Sequence, residues 1–237
     1  MIPLRDRNPR SALPYVTWAL VVANVVVYLY QASLGTGLAG LRFVFDNGFV
    51  PARLVAEPLA AWPTLVTYAF LHGGLAHLLG NMLFLFVFGD NVEDRLGHLR
   101  YALFYAGGAA IAALVHGLLG GDPRTPLVGA SGAISAVLGA YIVIYPQQRV
   151  QTLIPGLIAP WLFLRLFSRQ APWYAPWLPA WAYIGFWAAM QGLSVLTDGS
   201  STGEGVAWWA HIGGFAFGMT VANVNARRER RADVPGV

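Results

Sequence analysis

Serine, histidine and asparagine occur in this chain at a few positions where their types and spacing could do chemistry. Ser131 lies in Gly129-Ala130-Ser131-Gly132, His211 lies in Ala210-His211-Ile212-Gly213-Gly214, and His72, His77 and Asn81 follow one another closely upstream. A serine hydroxyl becomes a useful nucleophile when a base within hydrogen-bond reach takes its proton, and neutral imidazole does this near neutral pH. The oxyanion that forms needs donors. The free N–H groups at the start of a helix opening at Ser131 offer one set, with Ser131 N–H among them, and the side chains of Asn81 and His77 offer another. The chain has no Cys, so thiolate catalysis, disulfides and cysteine metal sites are excluded. His72 and His77 with an asparagine in place of an acid make a poor metal set, and neither a metal nor a cofactor is expected. Each group also has a bland reading: Gly-Ala-Ser-Gly as helix packing, His211 as a hydrogen-bonded interfacial residue, His72 and His77 as an outer polar pair. Polar groups are costly in lipid, however, and here they converge from three separate apolar segments, which favours a catalytic site.

The elements that must position them are membrane helices. The composition is 57% hydrophobic and 11% charged with a mean hydropathy of +0.54, more apolar surface than a soluble domain of 237 residues can bury. The fold class expected is an all-α, six-helix membrane bundle with spans at about 15–33, 67–88, 100–120, 131–146, 177–196 and 206–225. These make up a membrane domain, residues 15–225, between tails at 1–14 and 226–237. The run Leu153 to Phe167 is interrupted by Pro155 and Pro160 and carries Arg165, so it reads as interfacial.

All fifteen basic residues are Arg, and their distribution orients the bundle. The N-terminus, the loops after spans two and four, and the C-terminus hold 3, 2, 3 and 4 of them, whereas the alternate loops hold 2, 1 and 0. This positive-inside bias puts both termini in the cytoplasm and the loops 34–66, 121–130 and 197–205 outside. It speaks for topology and against nucleic-acid binding. The first span follows Arg5, Arg7 and Arg10 like a signal peptide, but it is long and lacks a clean cleavage site, so it is expected to be retained. Trp62, Trp208 and Trp209 fit the outer interface, and Trp161, Trp173, Trp177 and Trp181 the inner one.

Counting back from the inner ends at about 1.5 Å per residue places Ser131, His211 and His77 at one level, about 20–23 Å above the inner face. Against a hydrocarbon core of about 30 Å, span four is short and Ser131 recessed. Asn81 counts about one turn deeper. Ser131, Ser135 and Gly139 form a small-residue stripe on span four, and Gly214, Gly218 and Ala222 form one on span six, so these helices are expected to pack closely. No carboxylate stands in the outer half of any span, which makes a Ser-His dyad the expected form.

The residues Gly129-Ala130-Ser131-Gly132, His211-x-x-Gly214-x-x-x-Gly218 and His72-x-x-x-x-His77-x-x-x-Asn81 together resemble the rhomboid family of intramembrane serine proteases over about residues 60–225. The resemblance implies a Ser131-His211 dyad, an oxyanion hole from Asn81, His77 and the Ser131 N–H, and supporting roles for His72, Gly129, Gly132, Gly214 and Gly218. His72 is then expected nearer the surface, assisting hydration or packing. Gly89-x-x-x-Glu93-x-x-x-Gly97 resembles a structural element of the family. Two departures stand out: Ser135 occupies a position where some relatives stack an aromatic ring on the histidine, and the first outer loop lacks a Trp-Arg pair. A soluble hydrolase elbow does not fit, because Ala133 stands where that motif has glycine.

The substrates expected are single-pass transmembrane proteins cut near their outward end, where helix-weakening residues ease local unwinding. Loop Thr197 to Gly205 is expected to act as a mobile cap and span five as a lateral gate. Lipid is the only other partner expected, with the Arg227 to Arg231 tail as an anchor at anionic headgroups. The expected location is a bacterial plasma membrane, with the site opening outward. The rival readings are an inactive adaptor of the same fold, disfavoured because Ser131 and His211 are both present, and a small-solute transporter, disfavoured by the absence of an inverted repeat.

Overall fold

The structure, a computed structural model, describes residues 1–120, 122–167, 175–198 and 207–232, without the side chains of 159 and 229–232. In chain order it contains strand β1 (Ile2–Asp6), helix α1 (Tyr15–Ser33), four short helices α2 (Leu38–Asn47), α3 (Pro51–Ala56), α4 (Pro58–Ala61) and α5 (Thr64–Thr67), then α6 (Leu75–Leu96), α7 (His98–Leu119) and α8 (Ser131–Ile144). β2 (Arg149–Leu153), α9 (Ile158–Phe167), β3 (Trp177–Pro179), α10 (Ala180–Asp198) and α11 (Trp208–Ala232) complete it. The molecule is mostly helical. Among the described residues, α1, α6 and α7 are long and apolar enough to cross a membrane.

Apolar side chains are distributed as lipid requires. Val22, Val26 and Leu29 point outward from α1, whereas its buried residues are Thr17 and Asn24. α8 is the central helix, buried continuously from Gly132 to Tyr141. At 14 residues it is about 21 Å long, well short of a hydrocarbon core of about 30 Å. Its small residues admit its neighbours. A Cβ on Gly214 would strike the carbonyl of Gly132, one on Gly218 the carbonyl of Ala136, and one on Gly139 the carbonyl of Phe215. α8 and α11 therefore touch backbone to backbone, as the small-residue stripes read from the sequence require, with Gly214 and Gly218 meeting the carbonyls of Gly132 and Ala136 rather than those of Ser131 and Ser135. On its other side, a Cβ on Gly108 of α7 would come within 2.7 Å of the Ala136 methyl.

The far end of the bundle from Ser131 is held by polar clamps. Glu93, 1% exposed near the end of α6, accepts hydrogen bonds from the N–H groups of Val16 (2.9 Å) and Thr17 (2.7 Å) and from the Thr17 hydroxyl (2.7 Å). It thereby caps α1, which has no cap of its own because Pro14 precedes it. Oε1, the oxygen that accepts from Val16, also lies 2.6 Å from His98 Nδ1. Gly89 belongs to the same junction: a Cβ there would meet Tyr101 Oη at 2.8 Å and Thr17 at 3.1 Å. The Gly89, Glu93, Gly97 spacing thus locks α1, α6 and α7 together.

Three features depart from the sequence reading. The second long helix begins at Leu75, not near 67, because Gly73 and Gly74 interrupt the chain after a 3-10 turn at Tyr68–Phe70, and it continues to Leu96 beyond the apolar run. The first residues are not a free tail: β1 pairs antiparallel with β2, Ile2 opposite Leu153 and Asp6 opposite Val150, and β2 pairs with β3. Asp6 fastens this sheet to the bundle, accepting from Tyr141 Oη of α8 (2.6 Å) and Asn91 Nδ2 of α6 (2.9 Å). Burial pushes its carboxyl up to about 6. The long loop 34–66 is largely helical and reaches the chain before α8, where Phe49 and Leu127 exchange backbone hydrogen bonds of 3.1 and 2.8 Å. The proposed cap at 197–205 lies almost wholly outside the described residues, as does Trp173.

Candidate active site

The loop entering α8 brings the residues together. Gly129 has φ +118, a conformation glycine adopts readily, and its N–H donates to the Tyr68 carbonyl at 3.0 Å. A Cβ there would lie 2.7 Å from His77 Cε1, 2.8 Å from His77 Nε2 and 3.7 Å from Asn81 Nδ2. The His77 ring therefore packs tightly on the backbone two residues before Ser131, with the Asn81 amide beside it. Ser131 is the first residue of α8, and the first intrahelical bond at this end is Ile134 N–H to the Ala130 carbonyl at 2.9 Å. The N–H groups of Ser131, Gly132 and Ala133 thus have no partner within the helix and point out of its end. Asn81 Nδ2 is buried and finds no hydrogen-bond partner among the described residues.

His211 enters from α11. Gly132 and Ala210, the chain neighbours of Ser131 and His211, sit so close that a Cβ on Gly132 would be 3.8 Å from that of Ala210. One turn on, Gly214 rests on the Gly132 carbonyl and Gly218 on that of Ala136, so a larger side chain at either position would push α11, which carries His211, off α8. Gly132 is hemmed in as well, with a Cβ placed 2.7 Å from that of Ala112 and 2.9 Å from Tyr68 Oη. His211 is 7% exposed, between the rings of Trp187 and Trp208, each 6.0 Å away centre to centre. These two tryptophans supply the aromatic contact that Ser135 does not. The Ser135 hydroxyl instead donates to the Ser131 carbonyl at 2.6 Å.

His72 is fully buried within the protein. Its ring meets that of His77 edge to face at 5.1 Å, and neither of its ring nitrogens has a partner among the described residues. Its backbone is clamped by Gln31 of α1, whose amide donates to the His72 carbonyl (2.8 Å) while its oxygen accepts from the His72 N–H (3.2 Å). Two residues near His211 were passed over in the sequence. Gln191 of α10 places Oε1 2.7 Å from His211 Nδ1, and His116 of α7 has a buried Nδ1 without a partner. Gln191 stands out in the sequence only as a lone amide in an apolar run. A search for a third, acidic member skips it.

As a unit, the arrangement offers a hydroxyl at a helix start, an imidazole on the neighbouring helix, and amide, imidazole and backbone donors converging on the same turn. Among the described residues, no group of three or more His, Cys, Asp or Glu is placed to hold a metal. A rhomboid domain model matches residues 60–228, well over half the chain. The chain belongs to the rhomboid family. It is 40% identical over 85 residues to the Bacillus subtilis (strain 168) protein YdcA, a match covering 34% of this chain and 40% of that protein. It is 35% identical over 125 residues to Rhomboid-related protein 2 of Mus musculus, covering 52% of this chain and 40% of the relative. RHOMBOID-like protein 12, mitochondrial, of Arabidopsis thaliana is 28% identical over 218 residues, covering 85% of this chain and 55% of the relative. The chain spans about half the length of these curated relatives or less. Family membership together with the apolar helices makes it a membrane protein.

Proposed function

We propose that this rhomboid-family chain is an intramembrane serine endopeptidase that hydrolyses peptide bonds at or near the outer end of single-pass transmembrane substrates. Ser131 is the nucleophile and His211 the base, which takes the hydroxyl proton as Ser131 attacks and returns one to the leaving amine. Asn81, His77 and the Ser131 N–H bind the oxyanion. What supports this reading is that the His77 ring and the unpartnered Asn81 amide lie beside Gly129, two residues before Ser131, while α11 packs Ala210 and Gly214, on either side of His211, against Gly132. In an adaptor, the cost of a buried Asn81 amide without a partner would have no return. The wider reading follows: six spans counting α8, α10 and α11, both termini in the cytoplasm of a bacterial plasma membrane, and Ser131 recessed below the outer surface at the head of a helix too short to span. Water and an unwound substrate segment reach Ser131 from outside.

The test is purified full-length protein in lipid vesicles with a single-span substrate carrying reporters at both ends. Wild type is expected to cut it near its outer end, and Ser131→Ala and His211→Ala to leave it intact. Equal cleavage by all three would reject the proposal.

A further inference from the structure

A neutral histidine has two tautomers, and a base that must take a proton through Nε2 has to carry its own proton on Nδ1. Nothing on α8 or α11 enforces this. Among the described residues no carboxylate reaches the His211 ring, and the titratable rings facing it are His77 on α6 and His116 on α7. The group that does meet Nδ1 is the side-chain amide of Gln191 on α10, 8% exposed, with Oε1 at 2.7 Å. The orientation of that amide is fixed from its other end, because Nε2 donates to the Trp187 carbonyl at 3.3 Å. Turning the amide over would set its oxygen against a carbonyl oxygen. With Nε2 committed to Trp187, Oε1 is an acceptor facing the ring, and Nδ1 must be the donor.

We propose that Gln191 is the positioning residue of the His211 base, its amide oxygen holding the imidazole as the Nδ1–H tautomer and leaving Nε2 free to accept a proton from Ser131. This rests on the protease reading above. It assigns to a neutral amide the part that a carboxylate plays where a third acid is present. An amide orients the ring without adding charge to a buried site, which suits a pocket where an unpaired carboxylate would be costly to ionise. It also places the orientation of the base on α10, a different helix from the one that carries His211.

Two readouts on the full-length protein in lipid nanodiscs separate positioning from mere packing. In 15N-histidine spectra of Ser131→Ala protein, His211 is expected as a single Nδ1–H tautomer, assigned by its loss in His211→Ala, and the added Gln191→Met change is expected to abolish that preference. In cleavage assays, Gln191→Met is expected to lower kcat about tenfold with KM within about twofold, the effect of losing one oriented hydrogen bond. Gln191→Glu restores the acceptor and is expected to recover kcat at alkaline pH. The carboxylate also favours the imidazolium, so the acidic limb of the kcat profile should move about one unit to higher pH. An Nε2–H tautomer in the parent protein, or wild-type tautomer and kcat in Gln191→Met, would overturn the proposal. If Gln191→Met does not fold, the Gln191→Glu limb decides, and an unmoved limb is the contradicting result. Failure of the wild type to cut any substrate would sink the protease reading, while the tautomer spectrum would still decide what Gln191 does.

Discussion

Gly129→Ala is the substitution whose consequences can be worked most fully from the geometry. A methyl group at φ +118 carries a backbone penalty of about 1–3 kcal/mol, and it must also fit where His77 Cε1 and Nε2 already stand at 2.7 and 2.8 Å. A flexible ring yields more readily than a turn tied to Tyr68 and to the Phe49–Leu127 bridge, so His77 should swing out and its donor leave the proposed oxyanion site. Losing one such donor costs about 2.7–4 kcal/mol of transition-state stabilisation, or about 10²–10³ in kcat. Gly129→Ala and His77→Ala should therefore each lower kcat by roughly that factor. The double variant should be little worse than His77→Ala alone, because with the ring gone the methyl has room and only backbone strain remains. The assay is cleavage of a single-span substrate at saturating concentration in lipid vesicles. Wild-type kcat in Gly129→Ala, or single-variant losses that multiply in the double variant, would refute the reasoning.

Other expectations concern the scaffold and can be checked by thermal unfolding in detergent or nanodiscs. Gly218→Val drives a side chain into the Ala136 carbonyl and should lower stability by about 1–3 kcal/mol, with cleavage reduced as α11 lifts from α8. Glu93→Ala leaves the Val16 and Thr17 N–H groups without their acceptor and should cost about 3 kcal/mol, whereas Glu93→Gln should cost clearly less. Asp6, held up at about 6 against an ordinary 3.8, is protonated more readily in the fold than in the unfolded chain. Its ionisation thus weakens the fold as pH rises from about 4 to about 6, and the penalty stays constant above that. Asp6→Asn should accordingly raise Tm by about 2–4 °C at pH 7.5, after allowance for the solvent that still reaches the group, and leave it unchanged near pH 4. A Tm gain of the same size at both pH values would contradict this.

The parts of the molecule legible in the sequence are those governed by local pattern. Apolar runs mark the long helices α1 and α7 to within two residues, because lipid demands length and hydrophobicity whatever the tertiary contacts. The stripes Ser131, Ser135, Gly139 and Gly214, Gly218, Ala222 could be read as a close helix pair for a similar reason, since only small residues let backbones meet, although Gly214 and Gly218 meet the carbonyls of Gly132 and Ala136, one residue along from that register. The start of α6 is not legible in hydropathy, because Gly73 and Gly74 set it while apolar residues continue on both sides, and hydropathy does not register a backbone break. The β1 to β3 sheet escaped notice because its strands are short, lie far apart in the chain and owe their pairing to anchors such as Asp6 on Tyr141. At the site, Ser131, His77 and Asn81 declare themselves by type. Gln191 and Gln31 do not, because an amide in an apolar helix is informative only once its partner across the bundle is seen.

The central claim, that Ser131 is a nucleophile activated by His211, is tested most directly by covalent labelling. The full-length protein in lipid is treated with a serine-directed fluorophosphonate, and the modified residue is located by mass spectrometry. The account predicts one adduct, on Ser131, that is lost in His211→Ala even though the hydroxyl remains. An adduct elsewhere, or undiminished labelling of Ser131 without His211, would contradict it.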